Sequence, residues 1–222
     1  MRTWRVHEFG PHREVLRLED VPMPVAGEGE AVVRVRAAGV NFPDTLVIAG
    51  KYQVRPPLPF TPGFECVADD PETGKRVLCW TPNGGFQEYV AVRREHMLHA
   101  PDALSDIEAA AFMVSYQTAY FSLVHRGRLR AGEVVLVIGG AGAIGSAAIQ
   151  LGKILGATVI ASANGAGKAE ICRRLGADHA IDTSEQELSA AVRAIHAGGA
   201  DVILDPVGGD AFEAALRCVA FE

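Results

Sequence analysis

The sequence has no excess of basic residues, and this absence argues against one large class of function. Its 222 residues include 21 Lys and Arg against 27 Asp and Glu, which gives a formal charge of −6. A protein that binds nucleic acid along its phosphate backbone carries a basic surface, so nucleic acid is not expected as the main partner. Hydrophobic residues make up 49% of the chain, a share typical of a soluble globular protein with one large or two modest domains.

Closely spaced cysteines and a long apolar run are also lacking. The four cysteines, at positions 66, 79, 172 and 218, form neither a Cys-x-x-Cys pair nor a compact framework, which predicts reduced, buried thiols and a cytoplasmic location. The N-terminal segment alternates charged and apolar residues where a signal peptide has an apolar core. Glycines, Ser146 and Gln150 interrupt residues 134–151, so no membrane span is expected.

The sequence divides into two parts with different patterns of residues. Proline and glycine punctuate the first hundred residues, with short alternating runs between them, which predicts a β-rich domain with loops. At Ser105 a helical pattern begins, with Glu108 in the capping-box position. From residue 134 onward strands and helices alternate, which predicts a parallel sheet covered by helices. The expected strands are 134–138, 158–162, a short one near HAID (179–182) and 202–205; the expected helices are 142–155, 167–175, 185–197 and 210–219.

A glycine loop lies between the first of these strands and its helix. Gly140, Gly142 and Gly145 form the pattern GxGxxG, in which one glycine makes the turn, one lets the backbone approach a pyrophosphate and one lets helix pack on strand. The helix N-terminus would stabilise the anion. The predicted dinucleotide contacts are Gly140, Gly142, Ala143, Ile144 and Gly145, and the alternative is tight strand–helix packing alone.

The second strand of this unit ends without an acidic residue. A site that prefers NAD carries Asp or Glu there to accept hydrogen bonds from the ribose 2′-hydroxyl, whereas this chain has Ile-Ala-Ser-Ala-Asn at 160–164. With no carboxylate to repel a 2′-phosphate and with a lysine just beyond, NADPH is favoured over NADH. The predicted contacts here are Ser162, Asn164 and Lys168; Lys168 could equally be a solvated residue in the first turn of a helix.

Six further segments, together with the glycine loop, carry a resemblance to a known family. They are AAGVNFPDTLVIAGKY (37–52), PPLPFTPGFE (56–65), GGFQEYVAV (84–92), YQTAY (116–120), LGADHAIDT (175–183) and DVILDPVGG (201–209). The chain resembles the medium-chain dehydrogenase/reductase superfamily, in its zinc-independent NADPH:quinone oxidoreductase (zeta-crystallin-like) branch. The resemblance implies an α/β protein with a GroES-like β-rich domain over 1–122, followed by a doubly wound (Rossmann) parallel-sheet domain over 123–222.

The resemblance also implies the residues of the active site. Asn41, Asp44 and Tyr52 would line the substrate end, with Tyr52 as donor to the reduced oxygen, and Thr118 would lie near the nicotinamide. Each of these residues has a plainer alternative role. Asn41 and Asp44 could simply organise the loop around Pro43. Tyr52 could be an aromatic ring on the surface, and Thr118 could serve only in helix packing. Zinc-dependent relatives have cysteine at position 41 and histidine in place of Phe64, so no metal is expected.

Two hypotheses about function follow. The first is an NADPH-dependent, zinc-independent oxidoreductase that reduces quinones or α,β-unsaturated carbonyls by direct hydride transfer. Only four strands follow residue 122, where a complete doubly wound sheet has six, so the domain is expected to be incomplete, and a homodimer like the family's would lack its usual contacts. The second hypothesis is therefore a nucleotide-binding remnant or interaction protein with impaired catalysis.

Overall fold

The structure, a computed structural model, describes residues 1–221 and divides into two compact units. The first is Met1–Val114 and the second begins at Ser115. The boundary predicted from the sequence, after residue 122, lies inside a π-helix at Phe121–Arg126.

The first unit is mainly antiparallel β-structure. A two-stranded sheet pairs β1 with β2, and a five-stranded sheet has the order β6-β3-β4-β5-β7. Its strands are β1 (Arg2–Val6), β2 (Leu16–Asp20), β3 (Glu30–Gly39), β4 (Glu65–Asp69), β5 (Arg76–Trp80), β6 (Tyr89–Arg93) and β7 (Met97–His99). Its helices are α1 (His12–Val15), α2 (Phe42–Ile48), α3 (Asp106–Ala110) and a short 3-10 turn at Arg94–His96. The predicted β-rich domain is confirmed.

Strand β4 is covered on both faces, because alternate residues of a strand point to opposite sides of the sheet. Cys66 and Ala68 pack into one core cluster with β3, β5 and β6. Val67 packs into another, with Leu78 and the α3 region. The cross-strand neighbours Cys66 and Cys79 are both free and buried. This double coverage places the first residue of β4, Glu65, in the interior as well.

The second unit is a parallel sheet with helices on both faces. Its strands are β8 (Val134–Ile138), β9 (Thr158–Ala163), β10 (His179–Asp182) and β11 (Val202–Leu204), in the order β10-β9-β8-β11. Its helices are α4 (Met113–Tyr120, which begins just before the unit), the π-helix, α5 (Ala143–Ile154), α6 (Ala166–Arg174), α7 (Leu188–Ile195) and α8 (Asp210–Leu216). Every residue of β8 is buried, as expected for an apolar strand inside a parallel sheet. The predicted count of four strands is confirmed.

Helix boundaries differ from the prediction where local hydrogen bonds intervene. The expected capping box of Ser105 and Glu108 is present. Helix α7 begins at Leu188, not at 185, because the Glu187 side chain caps it by accepting the Ala190 N–H at 2.6 Å. Helix α8 ends at Leu216, not at 219, because residues 218–220 turn to pair with Ala200.

Candidate functional site

Asn41 lies where β3 gives way to α2. It is the N-cap residue of α2, and Pro43 in the first turn fixes the direction of the chain there. The Asp44 carboxylate reaches back and accepts the backbone N–H of Asn41 at 2.7 Å. This half of a capping box holds Asn41 and Asp44 in fixed relation, so the structure brings together two of the three residues predicted to be catalytic.

Asp44 is a buried carboxyl group. Its side chain is only 1% exposed, and its Oδ1 has no hydrogen-bond partner among the described residues. Burial raises the pKa of Asp44 to about 6, the backbone N–H groups of Asn41, Gly63 and Phe64 oppose the rise, and the nearby Glu65 adds to it. Asp44 therefore exchanges its proton close to neutral pH.

Glu65 completes this cluster, and the sequence analysis did not single it out. Its Oε1 accepts the side-chain N–H of Asn41 at 2.8 Å, and its Oε2 accepts the backbone N–H of Val114 at 2.8 Å. Burial raises the pKa of Glu65, and the bond from Asn41 opposes the rise. The sequence feature that could have pointed to Glu65 is a charged residue followed directly by the apolar run Cys-Val-Ala of a buried strand.

Tyr52 lies apart from these hydrogen bonds. Its ring packs edge-on against Phe64, with 5.6 Å between the ring centroids, beside the apolar residues Val47 and Ile48. Among the described residues, no hydrogen bond is recorded between Tyr52 and either Asn41 or Asp44.

The glycine loop of the second unit follows β8 directly. Gly139 has φ +64°, which only glycine adopts easily, and it turns the chain out of the strand. A Cβ on Gly145 would lie 2.3 Å from the Gly139 carbonyl oxygen, so this glycine lets α5 approach the strand. A Cβ on Gly142 would meet only that same oxygen, at 3.3 Å. Gly142 thus lines open space, which fits a ligand phosphate approaching the backbone.

The first turn of α5 suits an anion. Gly142 is the N-cap and offers no side chain to accept the first backbone N–H groups. Helix α5 has 12 residues, and its N-terminus carries a partial positive charge. The N–H groups of Ala143, Ile144 and Gly145 are the orphan donors that a pyrophosphate satisfies in dinucleotide-binding folds.

At the end of β9, the three predicted contacts are placed differently. Asn164 and Lys168 are exposed at the start of α6, whereas Ser162 is only 2% exposed. The Ser162 carbonyl accepts the Gly140 N–H at 2.9 Å and so positions the glycine loop through its backbone. Asp182, which the sequence analysis missed, accepts the Gly165 N–H at 2.8 Å and anchors the turn before α6.

Thr118 and Ile144 share a cavity of about 380 Å³ within the second unit. Leu204 and Asp205, where β11 ends, also line it, as does Ser122, whose hydroxyl donates to the Thr118 carbonyl at 2.7 Å. Ligands of open parallel sheets bind at the carboxyl ends of the strands. The structure therefore brings Thr118 and the glycine-loop helix to one cavity.

The possible metal ligands are dispersed. Among residues 1–221 no group of three His, Cys, Asp or Glu side chains is arranged to hold a metal ion. His96 packs edge-on against Trp80, with 4.6 Å between the ring centroids, and His99 ends β7.

Among residues 1–221 no helix has the length and apolar character needed to cross a membrane.

Models of two families match the chain. The alcohol dehydrogenase GroES-like domain matches residues 27–102, and the model described as zinc-binding dehydrogenase matches residues 143–222. A GroES-like antiparallel unit followed by a Rossmann-like parallel sheet is the architecture of the medium-chain dehydrogenase/reductase superfamily. The two matched segments fall in the two units of the structure.

Individual relatives narrow this class. A quinone oxidoreductase from Thermus thermophilus, solved alone and with NADPH, is 40% identical, with a TM-score of 0.90 over 99% of this chain and 71% of that chain. A probable oxidoreductase from Mycobacterium abscessus is 41% identical, with a TM-score of 0.90 over 99% of this chain and 72% of that one. The chain belongs to the quinone oxidoreductase branch of the superfamily, which confirms the family that the sequence motifs indicated.

The curated relatives are longer than this chain. Quinone oxidoreductase-like protein 2 of Bos taurus is 38% identical, and the match covers 100% of this chain but 66% of that protein. Its homologue from Nematostella vectensis is 36% identical, over 88% of this chain and 56% of that protein. The chain thus spans a little over half to two thirds of these proteins, and the four-strand sheet is incomplete relative to them.

Proposed function

We propose that the chain is an NADPH-dependent oxidoreductase that reduces quinones or α,β-unsaturated carbonyls without a metal ion. The observation that carries this proposal is the uncapped first turn of α5 behind Gly142, combined with a β9 that ends in Asn164 without an acidic residue. The first feature supports binding of a pyrophosphate and the second supports a 2′-phosphate. The NADPH complex of the Thermus thermophilus relative adds support for this cofactor.

The second unit would hold NADPH through the residues already described. The N–H groups of Ala143, Ile144 and Gly145 would donate to the pyrophosphate, and Asn164 and Lys168 would bind the 2′-phosphate. Thr118, beside the cavity at the end of β11, would contact the nicotinamide end. When bound, NADPH supplies the hydride.

The first unit would bind and polarise the substrate. The Asn41 amide would donate a hydrogen bond to the substrate oxygen, which takes the place of metal polarisation. Asp44, with a pKa of about 6, can exchange a proton near neutral pH. It would supply the proton that replaces the one given to the reduced substrate oxygen. Tyr52 stays our proposed donor to the reduced oxygen.

Two exposed apolar side chains favour a flat, apolar substrate. Val40 and Phe42 flank Asn41 and are 79% and 75% exposed. Large exposed apolar residues on both sides of a polar group are typical of sites that bind an apolar ligand with one polar anchor. Quinones and conjugated enones have this character.

The direct test is a titration of the purified chain with NADPH and, separately, with NADH, followed by nicotinamide fluorescence. Saturable binding that prefers NADPH is expected, and quinone-dependent loss of absorbance at 340 nm should follow when 1,4-benzoquinone is added. Tight binding without such oxidation would favour the nucleotide-binding remnant. Folded protein that binds neither nucleotide would contradict the proposal.

A further inference from the structure

We infer that Glu65 is a positioning residue for this active site, because its buried carboxylate fixes the orientation of the Asn41 side-chain amide. The inference rests on the proposed function, in which Asn41 contacts the substrate oxygen. It adds a residue that itself touches no substrate and acts through Asn41 alone.

The geometry leaves the Asn41 amide one orientation. An ionised Glu65 only accepts hydrogen bonds, so in that state the group that faces it is the Asn41 nitrogen and not the Asn41 oxygen. The contact is 2.8 Å long, and the second Glu65 oxygen is engaged by the Val114 N–H at the same distance. Both carboxylate oxygens are therefore held, and a turn of the Asn41 amide would set oxygen against oxygen.

A glycine on the neighbouring strand makes room for the Glu65 carboxylate. Gly39 lies directly opposite it in the β3–β4 register. A Cβ at residue 39 would lie 2.5 Å from Glu65 Oε1 and 2.5 Å from the Ala110 carbonyl oxygen. Glu65 itself is 1% exposed. The carboxylate therefore fills a space that exists only because residue 39 is glycine.

A buried carboxylate at this point is costly for the fold. Removing a charge from water is unfavourable, and a well-packed apolar side chain commonly serves stability as well or better. Glu65 accepts hydrogen bonds from the Val114 backbone N–H and from the side chain of Asn41, a predicted catalytic residue. The second of these bonds, which the Asn41 amide donates, fixes the orientation of that amide. Its other side-chain N–H has no recorded partner in residues 1–221 and is left for the substrate oxygen.

The variant Glu65→Gln tests this with little change of shape. Glutamine has one acceptor oxygen where glutamate has two, so it cannot accept from both Val114 and Asn41. If the Val114 bond is kept, the glutamine nitrogen faces Asn41, and the Asn41 amide must turn over to accept from it. We expect kcat/KM for 1,4-benzoquinone to fall about tenfold or more, with NADPH affinity within twofold of wild type. Glu72→Gln, an exchange at an exposed position, should leave both unchanged.

A double-mutant cycle separates positioning from a general structural effect. In the background Asn41→Ala, the Glu65→Gln exchange should have no further effect on kcat/KM, because the group through which Glu65 acts is gone. An equal loss in both backgrounds would overturn the inference, as would Glu65→Gln activity equal to wild type.

The inference and the proposed function can fail separately. If the wild-type chain oxidises no NADPH in the presence of quinone, the proposed function fails, and the Asn41 side-chain ¹⁵NH₂ resonances then decide the positioning. A shift of those resonances on Glu65→Gln, with the Asn83 side-chain resonances unmoved, would support it. Asn41 resonances that stay in place would overturn it.

Discussion

Asp44 accepts the backbone N–H of Asn41 at 2.7 Å from a side chain that is only 1% exposed. The bond favours the ionised form, and burial opposes it more strongly, so the pKa of Asp44 lies at about 6, above its ordinary value of 3.8. The N-cap of α2 is therefore held by a group whose charge is unfavourable in the fold.

Replacement of Asp44 by Asn should stabilise the first unit at pH 8. Below about pH 3 the carboxyl is protonated in both folded and unfolded chains, and the pKa shift has no effect on stability. Between pH 4 and 6 only the unfolded chain ionises, so the free energy of unfolding falls, and above pH 6 the loss is constant. Removing the charge should restore roughly 1 to 3 kcal/mol at pH 8.

Urea unfolding followed by tryptophan fluorescence measures this effect, since both tryptophans, Trp4 and Trp80, lie in the first unit. The gain of Asp44→Asn should shrink as the pH falls below 6 and vanish at about pH 3. A variant less stable than wild type at pH 8 would show that the carboxylate bond to Asn41 outweighs burial. The rate of quinone-dependent NADPH oxidation should also fall in Asp44→Asn.

Substitutions at two glycines of the loop should affect NADPH binding and thermal stability separately. Gly142→Val should raise the dissociation constant of NADPH at least about tenfold, because the side chain occupies the space of the pyrophosphate. Its thermal midpoint should stay near wild type, since a Cβ there meets only one atom, at 3.3 Å. Gly145→Ala should instead lower the midpoint, because its Cβ would lie 2.3 Å from the Gly139 oxygen. Undiminished NADPH binding by Gly142→Val would remove the pyrophosphate assignment.

Lys168 should distinguish the two nucleotides. Lys168→Ala should weaken NADPH by about fivefold, or about 1 kcal/mol, and leave NADH almost unchanged, because only NADPH has the 2′-phosphate. Arg174→Ala is the matched control, since it removes an exposed cation from the other end of the same helix. Equal losses for both nucleotides would mean that Lys168 does not read the phosphate.

Phe42 should contribute to substrate affinity. Phe42→Ala should raise KM for 1,4-benzoquinone about tenfold with a smaller change in kcat, because it removes apolar contact from the ground state and the transition state alike. Ile107→Ala removes another exposed apolar side chain of the same unit and should change neither value. If the two variants behave alike, Phe42 is not part of the substrate surface.

The order of elements in the second unit could be predicted from sequence because its signals are local. Apolar runs such as 134–138 and glycines at turns act within a few residues, and the structure has the expected strands there. Boundaries were missed where a longer-range partner intervened, as at residues 218–220, which pair with Ala200. The start of α7 was also misplaced, although its cap, Glu187, lies next to it in the sequence. The helix was predicted from residue 185, before this cap.

The cluster of Asn41, Asp44 and Glu65 depended on both local and long-range contacts. Asn41 and Asp44 lie in one short segment, 37–52, whose resemblance to the family indicated both, and the turn around Pro43 brings them together. Glu65 is 24 residues away from Asn41, and only the pairing of β3 with β4 brings the two side chains within 2.8 Å. Asp182 reaches Gly165 in the same way, through the pairing of β10 with β9.

By itself the sequence determined the family, the two kinds of unit and the glycine loop, because these depend on residue types at fixed short spacings. The tertiary structure alone decided which carboxylates are buried, which of them accept hydrogen bonds from Asn41, and that the Ser162 carbonyl accepts the Gly140 N–H. Burial and hydrogen bonding depend on strand register, and strand register is set by packing across the whole sheet.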